Sequence, residues 1–279
     1  MKHFTTIQSL AQYLVALKEK GLKIGFVPTM GALHNGHLSL IRIAQQACDV
    51  VVCSIFVNPT QFNDPRDLEK YPRPIAADIQ KLEQVHCDIL FEPPVTEMYA
   101  NNEHWHLNIG QLEHLLEGAS RPGHYQGVTQ VVNKLFNIVK PDVAFFGQKD
   151  YQQFLVITKM VELLQLPVKL VMCPIERETD GLAMSSRNVH LSATDRQHAL
   201  ILSKTLNWFS ENVNRLGIEE AVNQSKKMIS AEPGVTLDYF EAANAEDLHP
   251  AKQGDGNIVA LVAAKVGNTR LIDNILLVD

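Results

Sequence analysis

Between residues 22 and 57 the chain passes from one apolar run, through a turn and a helix-spaced segment, into a second apolar run. Leu22–Val27 and Val50–Val57 read as strands, while Leu38, Ile41 and Ala44 share one face of a helix over Gly36–Ala47. Such a strand–helix–strand unit pairs its strands in parallel through a right-handed crossover. A parallel sheet has to be covered on both faces, so the rest of the chain must supply helices for two sides. Helical spacing recurs over Thr6–Lys20, with Gly21 as its stop, and over Ile75–Val85, Gly127–Val139 and Tyr151–Leu164. Strand-like runs at Asp88–Phe91, Val143–Phe146 and Val168–Cys173 alternate with them. Asn58–Arg73, polar and proline-bearing, is expected as a loop at the carboxyl end of the second strand.

This alternation predicts an α/β fold, a Rossmann-like doubly wound parallel sheet, over residues 1–176. The pattern then changes. Ser192-Ala193-Thr194-Asp195 reads as a capping box opening a long helix through Ala199, Leu202, Leu206 and Phe209, followed by a helix over Ile218–Ile229. Alternating runs at Val235–Glu241 and Ile258–Lys265, a turn at Gly267-Asn268 and a strand near Arg270–Asp273 predict an antiparallel sheet. Residues 177–279 are therefore expected to form a second, smaller α+β C-terminal domain.

Net charge is −6 and no long basic run is present, which disfavours a nucleic-acid partner. No apolar run reaches membrane-spanning length, and Met1–Thr5 leads into an amphipathic stretch instead of a secretory core. Four scattered cysteines without C-x-x-C spacing point to reduced, buried thiols and away from zinc. The chain reads as cytoplasmic.

Four segments carry chemistry. Pro28–His37 links the first strand to the helix and sets His34 and His37 at the helix N-terminus, with Gly36 between them. Unpaired backbone N–H groups and the positive end of the helix dipole suit a phosphate there, and imidazoles add donors that follow moving charge. Phe56–Phe62 sends the amides of Asn58 and Gln61 out of the second strand. Amides suit a hydroxylated carboxylic acid that must be held without neutralising its nucleophile, although an Asx-type turn explains the same residues equally well. Gly147-Gln148-Lys149-Asp150 leaves the strand Val143–Phe146, with Gln152 and Gln153 following, and Asp150 sits where it can cap the next helix. Gly181–Asn188 offers Ser185, Ser186 and Arg187 as a clamp for a polyphosphate, or simply a turn.

The histidine turn and the serine–arginine loop together resemble the two signatures of the nucleotidyltransferase superfamily. The longer strings PTMGALHNGHLSLIR, SIFVNPTQF, YPR, RPGHYQGV, FGQKDYQQ and DGLAMSSRN, in order from residue 28 to 188, resemble the pantothenate synthetase (pantoate–β-alanine ligase) family. The resemblance implies that ATP and pantoate form pantoyl adenylate and pyrophosphate, and that β-alanine then displaces AMP to give pantothenate. It implies ATP contacts along Met30, Gly31, Ala32, Leu33, His34, Asn35, Gly36 and His37, with His37 as the catalytic proton donor. It further implies nucleotide contacts from Gly147–Asp150, Glu176 and Met184–Arg187, pantoate contacts from Gln61 and Gln153, and β-alanine contact from Gln61. Magnesium as the partner of ATP and a cytoplasmic homodimer are implied as well. Gln148 and Glu176 depart from the family pattern, in which glutamate and an aliphatic residue are usual.

The difficult moment in such a reaction is the attack of one anion on the α-phosphate of another, so His34, His37, Lys149 and Arg187 are expected to carry it, with Ser185 and Ser186 donating. Asn58 is expected beside Gln61 on the substrate. Asp78 is a candidate magnesium contact, or else a solvated helix-surface carboxylate. Tyr71 and Arg73 fit either a lid or simple packing, and Arg121 and His124 either a substrate-side loop or a dimer contact. His104, His106, His114, His190, His198 and His249 show no supporting partners in the sequence. The competing functions are a nucleotidylyltransferase acting on a phosphate ester, which needs a basic acceptor pocket, a tRNA-charging enzyme, which needs a basic surface, and a non-catalytic nucleotide sensor.

Overall fold

The computed structural model describes residues 1–99, 103–252 and 254–278, and the chain divides into two compact units. The first comprises Met1–Gly147 and Gln153–Cys173; the second comprises Gln148–Gln152 and Pro174–Asp279. In chain order the first sheet-and-helix set is β1 (Lys2–Phe4), α1 (Ile7–Lys18), β2 (Ile24–Thr29), α2 (Asn35–Ala47), β3 (Val50–Ile55), α3 (Pro65–Lys70) and α4 (Ile75–Gln84). It continues with β4 (Ile89–Phe91), α5 (Val95–Met98), α6 (Leu116–Ser120), α7 (His124–Val139), β5 (Val143–Gly147), α8 (Tyr151–Leu164) and β6 (Lys169–Cys173). The six strands form one parallel sheet in the order β1-β4-β3-β2-β5-β6.

The side-chain period of two explains why this sheet needs cover on both faces. Phe26, Val52, Ala144 and Phe146 point into one core with helices α1, α7 and α8, whose Leu10, Leu14, Val132, Leu135, Phe136, Val156 and Ile157 fill it. Their neighbours Val27, Val51, Cys53, Val143 and Phe145 point into the other, against Leu38, Ile41 and Ala44 of α2 and Leu82 of α4. Burying each large apolar side chain contributes about 1.5–3 kcal/mol, so both layers are held by the strands between them. Strand order runs outward from β2 through β3 in one direction and through β5 in the other. The switch point, where such sheets bind ligands, therefore lies beyond the carboxyl ends of β2 and β5.

The structure adds short elements that the sequence reading lacks, among them β1 and α3. The three-residue β1 pairs with β4 at the sheet edge, too short to announce itself by periodicity. The segment expected as a loop over Asn58–Arg73 instead contains a 3-10 turn at Pro59–Gln61 and the helix α3, whose Asp64 side chain accepts from Arg66 N–H.

The second unit builds α9 (Ala193–Leu216), α10 (Ile218–Ser230), β7 (Val235–Asn244), β8 (Asn257–Val266) and β9 (Thr269–Val278). The strands form an antiparallel sheet in the order β7-β8-β9, closed at the β8–β9 turn by Gly267 at φ +56°. Ser192 caps α9 by accepting from Asp195 N–H at 3.0 Å, as its motif predicts. Phe209 meets Phe240 edge-on at 5.5 Å in a core that also holds Leu206 and Val262. Among the described residues, no helix is long and apolar enough to cross a membrane.

Candidate active site

The histidine turn is set up by the residues before it. Thr29, the last residue of β2, donates its hydroxyl to Ser54 O at 2.7 Å and accepts from Gly31 N–H at 3.2 Å. Gly31 at φ +81° and Ala32 at φ +49° then bend the chain through the left-handed region, a conformation that an alanine adopts only when its surroundings impose it. Asp78 of α4 imposes it here: its two carboxylate oxygens accept from Ala32 N–H at 2.7 Å and Leu33 N–H at 2.8 Å. Lys81, one helical turn on, donates to Leu33 O at 2.5 Å. The backbone of residues 32–33 is thus gripped at its donors and at its acceptor by one face of α4.

His34 is the N-cap of α2, and its backbone N–H donates to His37 Nδ1 at 3.3 Å. The two rings lie with centroids 4.1 Å apart. Both are half-buried at the positive end of a thirteen-residue helix, a terminus whose dipole favours a phosphate.

The amide cluster divides in two. Asn58 is buried at 1% exposure and its side chain is fully engaged. Its Oδ1 accepts from Tyr99 Oη at 2.7 Å and Thr60 Oγ1 at 3.1 Å, and its Nδ2 donates to Gln61 Oε1 and to Gly127 O, both at 3.1 Å. Burial pushes the Tyr99 phenol above its ordinary range, which keeps it a hydroxyl donor. The two amide donors and the acceptor oxygen of Asn58 are all engaged by the loop, Tyr99 and α7. Its role is to orient Gln61, whose Nε2 donates to Met30 Sδ at 3.1 Å. That contact brings the first two clusters together, and both line a cavity of about 310 Å³ through Met30, Gly31, Phe56 and Pro59.

Helix α7 holds the same loop from below. Gly127 packs so tightly that a Cβ there would lie 2.4 Å from Thr60 O and 2.7 Å from Gln61 Cα. At its first turn Arg121 Nη1 donates to His124 Nε2 at 3.1 Å, and His124 Nδ1 lies 2.8 Å from Gln61 O. A guanidinium only donates, so this geometry makes Nε2 the acceptor and Nδ1–H the donor to Gln61 O. Arg121 and His124 are therefore supports of the Gln61 loop. Tyr71 packs edge-on against Phe62 at 5.7 Å, and Arg73 donates to Leu68 O and Tyr71 O, closing the end of α3. Gln153 is half-buried in the first turn of α8.

Two further expectations change. Asp78 is buried at 1% exposure, so it is no solvated surface carboxylate, and its oxygens serve the loop backbone. Through these two bonds Asp78 braces the histidine turn. His198 has a partner, Glu232 Oε1 at 2.7 Å.

In the second unit, Gln148–Asp150 form a 3-10 turn, with Lys149 half-buried and Asp150 exposed. Residues 176–184 make a tight hairpin, with Arg177 bridged to Ala183, Met184 N–H donating to Glu176 O, and Gly181 at its tip. Glu176 is exposed and joins this hairpin through its main chain. The hairpin leads into Ser185, whose Oγ accepts from Arg187 N–H at 3.2 Å, and a 3-10 turn over Ser186–His190 that carries the exposed Arg187. Asn188 Nδ2 donates back to Ala183 O at 3.1 Å and fixes the loop on the hairpin.

Tyr99, Lys81 and Gly127 went unread in the sequence. Only Gly127 carried a signal there, as a glycine within a helix-spaced segment.

A parallel sheet that sets a histidine-bearing helix N-terminus at its switch point defines an α/β protein of the nucleotide-handling class. The comparisons sharpen this. A family model described as Pantoate-beta-alanine ligase matches residues 2–276. Pantothenate synthetase of Thermotoga petrophila is 48% identical over 280 residues, covering 99% of this chain and 100% of the relative. The crystal structure of pantothenate synthetase from Thermus thermophilus matches with a TM-score of 0.93 at 41% identity, covering 99% of each chain. Pantoate-beta-alanine ligase from Francisella tularensis, complexed with beta-gamma ATP and beta-alanine, matches at a TM-score of 0.82 and 38% identity over 99% of this chain and 97% of that one. The chain belongs to the pantoate–β-alanine ligase family.

Proposed function

We propose that this chain is an ATP-dependent ligase that condenses pantoate with β-alanine through a pantoyl-adenylate intermediate. Family membership over nearly the whole chain supports the reaction class. The observation that carries the mechanism is Gln61 held against Met30, which puts a neutral amide beside the histidine turn. In the first step a pantoate carboxylate oxygen attacks the α-phosphorus of ATP, forming an O–P bond as the bond to pyrophosphate breaks. His34 and His37, at the α2 N-terminus, stabilise charge building on the phosphates, and His37 donates a proton toward the leaving oxygen. Lys149, Ser185, Ser186 and Arg187 are assigned to ATP phosphates as well, and Met30–His37, Gly147–Asp150, Glu176 and Met184 to the remaining nucleotide contacts. Gln61 and Gln153 orient pantoate without neutralising its nucleophile. In the second step the neutral amine of β-alanine attacks the acyl carbon, AMP leaves, and the nitrogen gives up one proton.

Magnesium enters this proposal as the counter-ion that ATP brings. The side chains do not fit a resident metal: Asp78 spends its oxygens on the loop, and among the described residues no three metal-ligating side chains cluster. Residues 1–176 are proposed as the nucleotide- and pantoate-binding domain and 177–279 as the smaller one. The family resemblance also supports a cytoplasmic homodimer, which sedimentation of the purified chain would test.

The deciding experiment is ATP–pyrophosphate exchange measured with and without pantoate, β-alanine omitted. Exchange that depends on pantoate supports the adenylate route. Exchange without pantoate, or none with it, refutes the proposal.

A further inference from the structure

Asp273 and Asn274 of β9 are buried at 4% and 2% exposure, although both are strongly polar. Such groups stay inside a fold when their hydrogen-bonding capacity is met, and the partners here are informative. Asn274 Nδ2 donates to Gln148 O and to Lys149 O, each at 3.0 Å, and its Oδ1 accepts from Gln148 Nε2 at 3.2 Å. Asp273 receives the Arg177 guanidinium in bidentate fashion at 2.7 and 3.0 Å, and its Oδ1 accepts from Asn274 N–H at 2.8 Å. Arg177 Nη1 also donates to Gly181 O at 3.1 Å, bracing the hairpin that ends at Met184.

We infer that Asp273 and Asn274 are positioning residues that hold the two ATP-handling segments of the second unit, 148–149 and 177–187, in one fixed arrangement. The inference rests on the proposed function, which assigns those segments to ATP. Donors aimed at phosphates stabilise a transition state most when they need not reorganise, so fixing their backbone matters. The choice of side chains fits this task. Asn274 is neutral and tethers Lys149 through its carbonyl, so the lysine ammonium is not spent on the tether. Asp273 is taken up by the bidentate pair with Arg177. Gln148 supplies the amide donor that Asn274 Oδ1 accepts.

The test uses the full chain with Asn274→Ala, Asn274→Asp and Asp273→Asn, varying ATP, pantoate and β-alanine in turn, with urea unfolding in parallel. Asn274→Ala, which removes three side-chain hydrogen bonds, is expected to raise KM for ATP about tenfold. KM for β-alanine stays within about twofold. Asn274→Asp is expected to be worse than alanine, because a carboxylate would then face two carbonyl oxygens. Should Asn274→Ala fail to fold, Asn274→Ser, which keeps one donor, carries the same comparison. Variants that lose unfolding stability yet keep the wild-type KM for ATP would show a purely structural tether and overturn the inference alone. A wild type without pantoate-dependent exchange would overturn the proposed function and this inference with it.

Discussion

Gly127→Ala is the sharpest probe of how the fold positions the substrate amide. A methyl group there would lie 2.4 Å from Thr60 O, 2.6 Å from Thr60 C and 2.7 Å from Gln61 Cα. Ordinary contact begins near 3.4 Å, so the Thr60–Gln61 backbone must retreat by about 1 Å. It cannot rotate away as a side chain would, since the clashing atoms are main chain. Alanine gains about 1 kcal/mol of helix propensity inside α7, while overpacking costs about 1–3 kcal/mol, so net destabilisation is about 0–2 kcal/mol and the chain stays folded. Catalysis is far less tolerant. A misplacement of about 1 Å at a positioned group costs about 10²-fold, so kcat is expected to fall by that factor and KM for pantoate to rise. Pantoate-dependent pyrophosphate exchange reads the first half-reaction directly. Gly256→Ala, where a Cβ meets nothing within 4 Å, is the control. A folded Gly127→Ala enzyme with wild-type kcat and pantoate KM would show that Gln61 needs no such support.

Asp78→Asn exchanges one carboxylate oxygen for an N–H group facing a backbone donor; it is expected to destabilise the fold by about 1–3 kcal/mol and to raise KM for ATP. Urea unfolding alongside ATP kinetics checks this, and unchanged values in both would remove the bracing role. His37→Ala and Lys149→Ala are each expected to lower turnover about 10²-fold with the fold retained, as seen by circular dichroism; near-wild-type turnover in either rejects its assigned role. Burial pushes the thiols of Cys87 and Cys173 up to about 12 and about 11, from an ordinary 9.0. Raised acids stay neutral in the folded chain while the unfolded chain ionises, so their contribution to stability is complete below about pH 9 and falls as pH rises toward 12. Urea midpoints from about pH 7 to 10.5 should fall, less steeply in Cys87→Ala, and an identical slope in that variant contradicts the argument.

The sheet and its helices were legible because burial on two faces imposes a local period. Val143, Phe145 and Ala144, Phe146 alternate between two cores, and that alternation is written in the chain. The helix N-terminus at His34 and the cap at Ser192 were legible for a similar reason, since capping is satisfied within a few residues. The expected loop over Asn58–Arg73 hid a helix, because α3 buries no residue and so leaves no apolar stripe to read.

Sequence alone, then, determined the parallel sheet, the small antiparallel sheet, the histidine turn and the family to which the chain belongs. Tertiary structure alone decided which polar residues serve as supports. Asp78 grips residues 45 and 46 positions away, Asn58 bonds a carbonyl 69 positions away, and Asn274 holds a turn 125 and 126 positions away. Hydrogen bonds of such span leave no periodicity, because a buried donor must be met by whatever the fold brings beside it.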